Sequence, residues 1–224
     1  MKYLILDAGP IISLTMNGML GILERLKENF DGEFIITPAV KGELIDRPMK
    51  IKKFELEAIQ VRNLIDKGVI KLSSDIIPNN KLDKEAKKVL SVANRFLQSS
   101  KTGEKINIIH NGEAECIAFS LLCGVENIIV IDERTARMMI ESPENLKKLM
   151  EKKLHIPLKA DLEALKGLKK VRFLRASELL FIAYKKDLIP MKKEKQLLDA
   201  LLYGSKFKGT AITSEEIEQM KLLV

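Results

Sequence analysis

Two acids each close an uninterrupted apolar run. Asp7 ends Lys2-Tyr3-Leu4-Ile5-Leu6, and Asp132 ends Ile128-Ile129-Val130-Ile131. Neither run alternates with polar residues, which is the pattern of a strand buried on both faces of a parallel sheet. Ligands of such sheets bind outside the carboxyl ends of the strands, so both acids are expected in one crevice. Two further acids can reach the same edge. Glu43 lies in the first turns of a helix that follows a second strand, and Glu113 opens a helix at Gly112-Glu113-Ala114-Glu115. Carboxylates held close together raise one another's pKa unless a cation joins them. An all-oxygen donor set suits Mg²⁺ or Mn²⁺. The plainer alternatives are that Asp7 and Asp132 cap the helices that follow, that Glu43 is a surface helix residue, and that Glu113 is a first-turn acid favoured by the helix dipole.

The elements that must position these acids are legible as runs and punctuation. Strand one covers residues 2–7, and Gly9-Pro10 starts a helix, with Pro suited to its first turn. A helical stripe continues from Ile11 to Leu26, interrupted near Asn17-Gly18. Residues 33–37 read as strand two, after which Thr37 caps and Pro38 begins a short helix holding Val40, Glu43 and Leu44. An amphipathic helix is predicted over 51–67, closed by Gly68, then a strand over 69–72 and a helix over 82–98. Residues 99–111 read as an exposed loop. A helix over 112–123 stops at Gly124, and strand 128–131 follows. Residues 135–140 are helical and Pro143 starts another helix. Residues 170–174 read as a last strand, and Ser177 as the cap of a helix over 178–186. Pro190 and Gly204 separate further short helices, and Thr213 or Ser214 caps the last. This alternation predicts an α/β fold with a mostly parallel sheet and a tail packed on it.

The net charge of +7 is unevenly spread. Residues 1–144 carry 20 Lys and Arg against 21 Asp and Glu, whereas residues 145–224 carry 18 against 10. The basic tail suits a polyanion led to the acidic site, or equally a set of solvated lysine faces. Scarce aromatics, with no Trp, three Tyr and eight Phe, argue against extensive base stacking. Cys116 and Cys123 are too far apart for a local disulfide, no Cys-x-x-Cys occurs, and His110 and His155 are isolated. Buried thiols are expected, and no zinc site. No apolar stretch is long enough to span a bilayer and no signal-peptide pattern is evident, so a cytoplasmic protein without membrane contact is expected. Abundant Lys and Glu with few Gln is a thermophile's bias.

The chain resembles PIN-domain nucleases, including the VapC-like toxins of prokaryotes. Three blocks carry the resemblance: Leu6-Asp7-Ala8-Gly9-Pro10-Ile11-Ile12-Ser13-Leu14; Thr37-Pro38-Ala39-Val40-Lys41-Gly42-Glu43-Leu44; and Gly112-Glu113-Ala114-Glu115-Cys116-Ile117-Ala118-Phe119 through Ile131-Asp132-Glu133-Arg134-Thr135-Ala136-Arg137. They span roughly residues 1–155, and residues 173–190 look like the C-terminal part of one archaeal and bacterial branch. The resemblance implies a three-layer α/β/α nuclease domain over 1–155, with residues 156–224 as a strand and helix extension on the same domain. It matches Asp7 to the first family acid, Glu43 to the second and Asp132 to the fourth. Glu113 and Glu115 compete for the third. The small Ala118 five residues on favours Glu113, leaving Glu115 auxiliary. Glu in place of the usual Asp lengthens that arm by one methylene. Ser13 and Ser177 are expected to line the pocket.

The implied activity is Mg²⁺- or Mn²⁺-dependent hydrolysis of RNA phosphodiester bonds. Asp7, Glu113 and Asp132 would hold metal, and Glu43 would orient water or complete a second site. Lys147, Lys148, Lys152 and Lys153 would hold the RNA backbone from one helix face. An antitoxin partner, a homodimer and a solitary role all remain open. The rivals are a PIN-fold RNA- or protein-binding module without catalysis, and a phosphotransfer domain, which would want a strand-end Lys that is missing here.

Overall fold

In the computed structural model, which describes residues 2–124 and 126–224, the first apolar run forms strand β1 (Tyr3–Leu6), buried along its whole length. It pairs in parallel with β2 (Glu33–Ile36) on one side and β5 (Ile128–Val130) on the other, so that Ile5 lies opposite both Ile35 and Ile129. β3 (Ile70–Leu72) extends the sheet beyond β2, and β7 (Arg172–Leu174) extends it beyond β5. All five strands are parallel, in the order β3-β2-β1-β5-β7. The chain thus travels outward from β1 in one direction and returns to build in the other. The crevice at the carboxyl ends of β1 and β5 is the switch point where open α/β sheets take ligands.

Helices cover both faces, as all-parallel sheets require. Odd and even residues of β1 point oppositely. Tyr3 meets Phe119 of α6 (Asn111–Cys123) edge-on, with ring centroids 5.5 Å apart. Leu4 faces the other way, with Leu26 of α2 (Ile22–Glu28) and Leu179 and Ile182 of α9 (Ala176–Lys185) around a small apolar cavity. α6 packs on β1 and β5, and α5 (Asn79–Phe96) lies along it. On the opposite side α9 packs against α1 (Ala8–Met16) and α10 (Leu197–Phe207), and α11 (Ser214–Lys221) packs on α10. Among the described residues no helix is long and apolar enough to cross a membrane.

Several elements differ from the sequence expectation. Residues 97–99 leave the helix as β4 (Leu97–Ser99), antiparallel to β6 (Leu158–Ala160). Three-residue strands whose partners lie about sixty residues apart carry no local signal. The polar stretch after β4 is not a free loop: Ile108 and Ile109 are buried, and the Ile108 N–H donates to Asn94 Oδ1. The predicted helix over 51–67 begins only at Glu55, as α4 (Glu55–Asp66). It buries Ala58, Val61 and Leu64, while Ile51, Phe54, Leu56 and Ile59 face out. Gly204 does not break a helix but sits inside α10, where a Cβ would stand 3.0 Å from Asn17 Oδ1. Ser177 does not cap α9 either: the helix starts at Ala176, two residues earlier than expected, and Arg175 occupies the cap position.

Phe119 is fully buried on α6, against Tyr3 of β1. Phe119→Ala is expected to lower the unfolding free energy by about 3–5 kcal/mol, the range for truncating a core aromatic, as read from urea denaturation.

Candidate functional site

Asp7 follows β1 as the N-cap residue of α1. Its amide donates to Val130 O at 3.0 Å, so β5 holds the backbone on which the acid stands. The residue is only 8% exposed. Burial first, and then the Glu113 charge, push its carboxyl up to about 7. The Ala8 amide pulls back, Glu43 adds to the rise, and the Gly9 amide again opposes it.

Gly112 marks where a second acid arrives. A Cβ on Gly112 would lie 3.4 Å from Glu43 Oε1 and 3.6 Å from Asp7 Oδ1. Two carboxylates from separate elements therefore converge on one backbone point, and the missing side chain leaves the space between them open. Glu43 comes from the end of a short helix. As its Thr37-Pro38 signal predicts, α3 (Pro38–Lys41) is capped by Thr37, whose hydroxyl accepts the Val40 N–H at 3.5 Å. The helix then widens into a π turn over Gly42–Asp46, closed by the Arg47 N–H on Gly42 O at 3.0 Å. Such widened turns cluster at functional sites. Burial and then Glu113 raise the Glu43 carboxyl, Arg47 and His110 lower it, and Glu115 raises it further.

Glu113 and Glu115 lie on α6 but do different work. Glu113 Oε2 accepts the His110 N–H at 2.7 Å, and its charge acts on both Asp7 and Glu43. Glu115 is buried, with Oε2 accepting the Ala39 N–H at 2.8 Å and Oε1 accepting Asn111 Nδ2 at 3.2 Å. Glu115 thus satisfies an orphan donor in the first turn of α3 and ties α3 to α6. Among the described residues, no Lys or Arg forms an ion pair with Asp7, Glu43 or Glu113.

Asp132 stands beside Asp7 but turns the other way. A Cβ on Gly9 would lie 3.7 Å from Asp132 Cβ and 3.8 Å from Asp7 Oδ2, so the two strand-end acids flank that glycine. Asp132 Oδ1 accepts the Ala176 N–H at 2.8 Å, and Oδ2 accepts the Thr210 hydroxyl at 2.9 Å. The acid therefore caps α9, not the helix that follows it, α7 (Arg134–Glu141), which is capped by Glu133 through the Ala136 N–H. Burial pushes the Asp132 carboxyl up, while the Ala176 amide, the Thr210 hydroxyl, Arg137 and Arg175 pull it down.

The remaining candidates are scattered. Ser13 and Ser177 are buried, and their hydroxyl oxygens lack a partner among the described residues, so neither is bonded to an acid. Lys147 on α8 (Pro143–Leu154) approaches Glu151 at 3.8 Å. Lys148, Lys152 and Lys153 are exposed on the same helix. Both cysteines are free. Cys116 is fully buried and its thiol is pushed well above the ordinary range, by burial first and then by Asp7, Glu115 and Glu113. That makes it packing, not a nucleophile. Sequence reasoning missed Thr210 and Ser205, which reach Asp132 from the tail without any motif to announce them, and read Arg175 as one of the tail's RNA-guiding basic residues, whereas it is tied to Glu178, Glu216 and Ala211 O.

The site is an all-oxygen cluster with surplus negative charge, open at Gly112. Among the described residues no three His, Cys, Asp or Glu side chains already stand close enough to hold an ion. No protein-family model, curated protein or solved structure matches the chain.

The Asp7 shift has a definite sign for stability. Below the ordinary value of 3.8, the carboxyl is protonated in folded and unfolded chains alike. Between 3.8 and about 7 the unfolded chain releases the proton first, so stability falls as pH rises. Above about 7 the full penalty applies, up to about 4 kcal/mol at roughly 1.4 kcal/mol per pKa unit. Asp7→Asn is expected to melt at a higher temperature than wild type near about pH 8 and to match it near about pH 4. Parallel melting curves that show no pH-dependent gap would mean Asp7 titrates as an ordinary carboxyl.

Proposed function

We propose that the chain is a PIN-type, Mg²⁺- or Mn²⁺-dependent endoribonuclease working at the edge formed by Asp7, Glu43, Glu113 and Asp132. The observation that carries this is the convergence of Asp7 and Glu43 oxygens on Gly112, with the Glu113 charge acting on both. Location at the β1/β5 switch point supports it. So does the donor chemistry: hard carboxylate oxygens suit Mg²⁺ or Mn²⁺, and a side chain at Gly112 would fill the space they share.

When bound, the ion activates water and offsets charge on the phosphate. Asp7, Glu113 and Asp132 are the residues that would hold it. Each Asp132 oxygen already accepts one hydrogen bond and keeps a lone pair for a further ligand. Glu43, which feels the charges of Arg47 and His110, would orient water at the mouth. The lysines of α8 would hold phosphates without reading bases. An RNA substrate implies the cytoplasm, with or without an antitoxin to restrain the activity.

A PIN-fold RNA- or protein-binding module without hydrolysis is the second possibility. The engagement of both Asp132 oxygens by α9 and Thr210 favours it.

The experiment is a Mn²⁺ titration by calorimetry together with an RNA-cleavage assay. Wild type is expected to bind Mn²⁺ and cut single-stranded RNA, chelator to stop it, and Asp7→Asn to lose both properties by a large factor. Metal binding without cleavage would leave the binding module. Equal cleavage by wild type and Asp7→Asn would identify a contaminating nuclease. Substituting Lys147, Lys148, Lys152 and Lys153 together by Gln is expected to flatten the salt dependence of RNA binding, by roughly 0.7 of a log–log unit per lost phosphate contact on a single strand. Mn²⁺ affinity should not change. An unchanged slope would remove α8 from the RNA path.

A further inference from the structure

Among the described residues, a pair of buried hydroxyls reaches Asp132 and none of Asp7, Glu43 or Glu113. Thr210 and Ser205 are almost fully buried, and their hydroxyl oxygens lie 2.6 Å apart. Thr210 has one proton and gives it to Asp132 Oδ2 at 2.9 Å. Ser205 must therefore be the donor to Thr210, which orders the chain as Ser205 to Thr210 to Asp132. The backbone beside it is fixed as well. The Ala211 N–H donates to Asp132 O at 3.4 Å. Ala211 O in turn accepts from Arg137 at 3.3 Å and from Arg175 at 3.2 Å. Arg175 is anchored by Glu178 at 2.6 Å and by Glu216 at 2.7 Å. Every one of these partners except Arg137 comes from residues 175–216, and with the Ala176 N–H on Oδ1 and the Thr210 hydroxyl on Oδ2 that segment engages both carboxylate oxygens of Asp132.

We propose that Thr210 is a positioning residue for the cation site: the C-terminal extension, through the Ser205–Thr210 hydroxyl pair, sets the orientation of Asp132 beside Asp7. This rests on the proposed cation-dependent function, and extends it to a segment outside the three sequence blocks that suggested the site. Groups that hold a ligating carboxylate by hydrogen bonds matter to metal affinity by about 10–100-fold. The Thr210 hydroxyl bonds Asp132 Oδ2 and Ser205, so its effect on an ion would pass through Asp132.

The test is Mn²⁺ affinity by calorimetry, with Mn²⁺ alone as the probe, on the full chain. Thr210→Val keeps the shape and removes the hydroxyl; Thr210→Ser keeps the hydroxyl and removes the methyl. Thr210→Val is expected to weaken Mn²⁺ binding by about 10–100-fold, and Thr210→Ser to restore most of it. If the contact were only packing, the order would reverse, with Val near wild type and Ser impaired; that result overturns the proposal. So does wild-type affinity in Thr210→Val while Asp7→Asn has lost binding, an outcome that leaves the cation site itself intact. Failure of wild type to bind Mn²⁺ removes both. If Thr210→Val does not fold, Ser205→Ala takes its place. It deletes the hydroxyl that must donate to Thr210, and a weakening in the same direction, smaller in size, is expected; wild-type affinity there overturns the proposal.

Discussion

A carboxylate buried at the end of the central strand, with no paired cation among the described residues, is the constraint around which the rest of the structure is arranged. Burying an unpaired charge is among the most unfavourable things a fold can do, and proteins meet it by pairing, by metal binding or by keeping the group neutral. Asp7 takes part of the last course, with its carboxyl raised to about 7. The Ala8 and Gly9 amides relieve part of the strain, while Glu113 and Glu43 add to it. The two nearest glycines, Gly9 and Gly112, leave the acids' edge free of side chains that would separate them. An arrangement that concentrates like charges at the switch point of a parallel sheet forgoes stability.

The C-terminal extension is bound into this arrangement at two levels. Its strand β7 lengthens the sheet beyond β5, and the Ile131 N–H donates to Leu174 O at 2.8 Å just where the chain leaves the sheet. Its helices and turns then close over Asp132 through Ala176, Thr210 and the Arg175 network. Arg175 is 8% exposed and holds two glutamates. Removing one partner from a network this buried would strand charge in the interior, so the cluster makes the tail's position specific even where it adds little net stability. The edge of the sheet and the edge of the acid site are consequently built from both ends of the chain.

Legibility in the sequence followed the range of the interactions. β1, β2 from Phe34 onward and β5 are readable because a strand stretch buried on both faces is apolar at every position. The start of α3 is readable because Thr37-Pro38 acts within a single turn. α4 misled because its apolar residues form a band wider than one face: Ala58, Val61 and Leu64 pack inward, and the same periodicity carries Leu56 and Ile59 outward. β4 and β6 are invisible because each is three residues long and exists only as the partner of the other. Ser177, a plausible cap by type, lies within the first turn of α9, because Asp132 already supplies the acceptor at that helix end from far along the chain.

The sequence by itself determined that acids follow two fully apolar strands and open or end two helices, and hence that an acidic edge would form on a parallel α/β sheet; side-chain period and helix punctuation are local and need no tertiary knowledge. Only the tertiary structure decided how those acids divide their roles. It placed Glu43 and Asp7 on either side of Gly112, assigned Glu115 to the end of α3, and turned Asp132 toward Thr210 and α9. Which oxygen meets which donor depends on where separate elements cross in space, and no local pattern of residues encodes a crossing between β5 and a hydroxyl seventy-eight residues later.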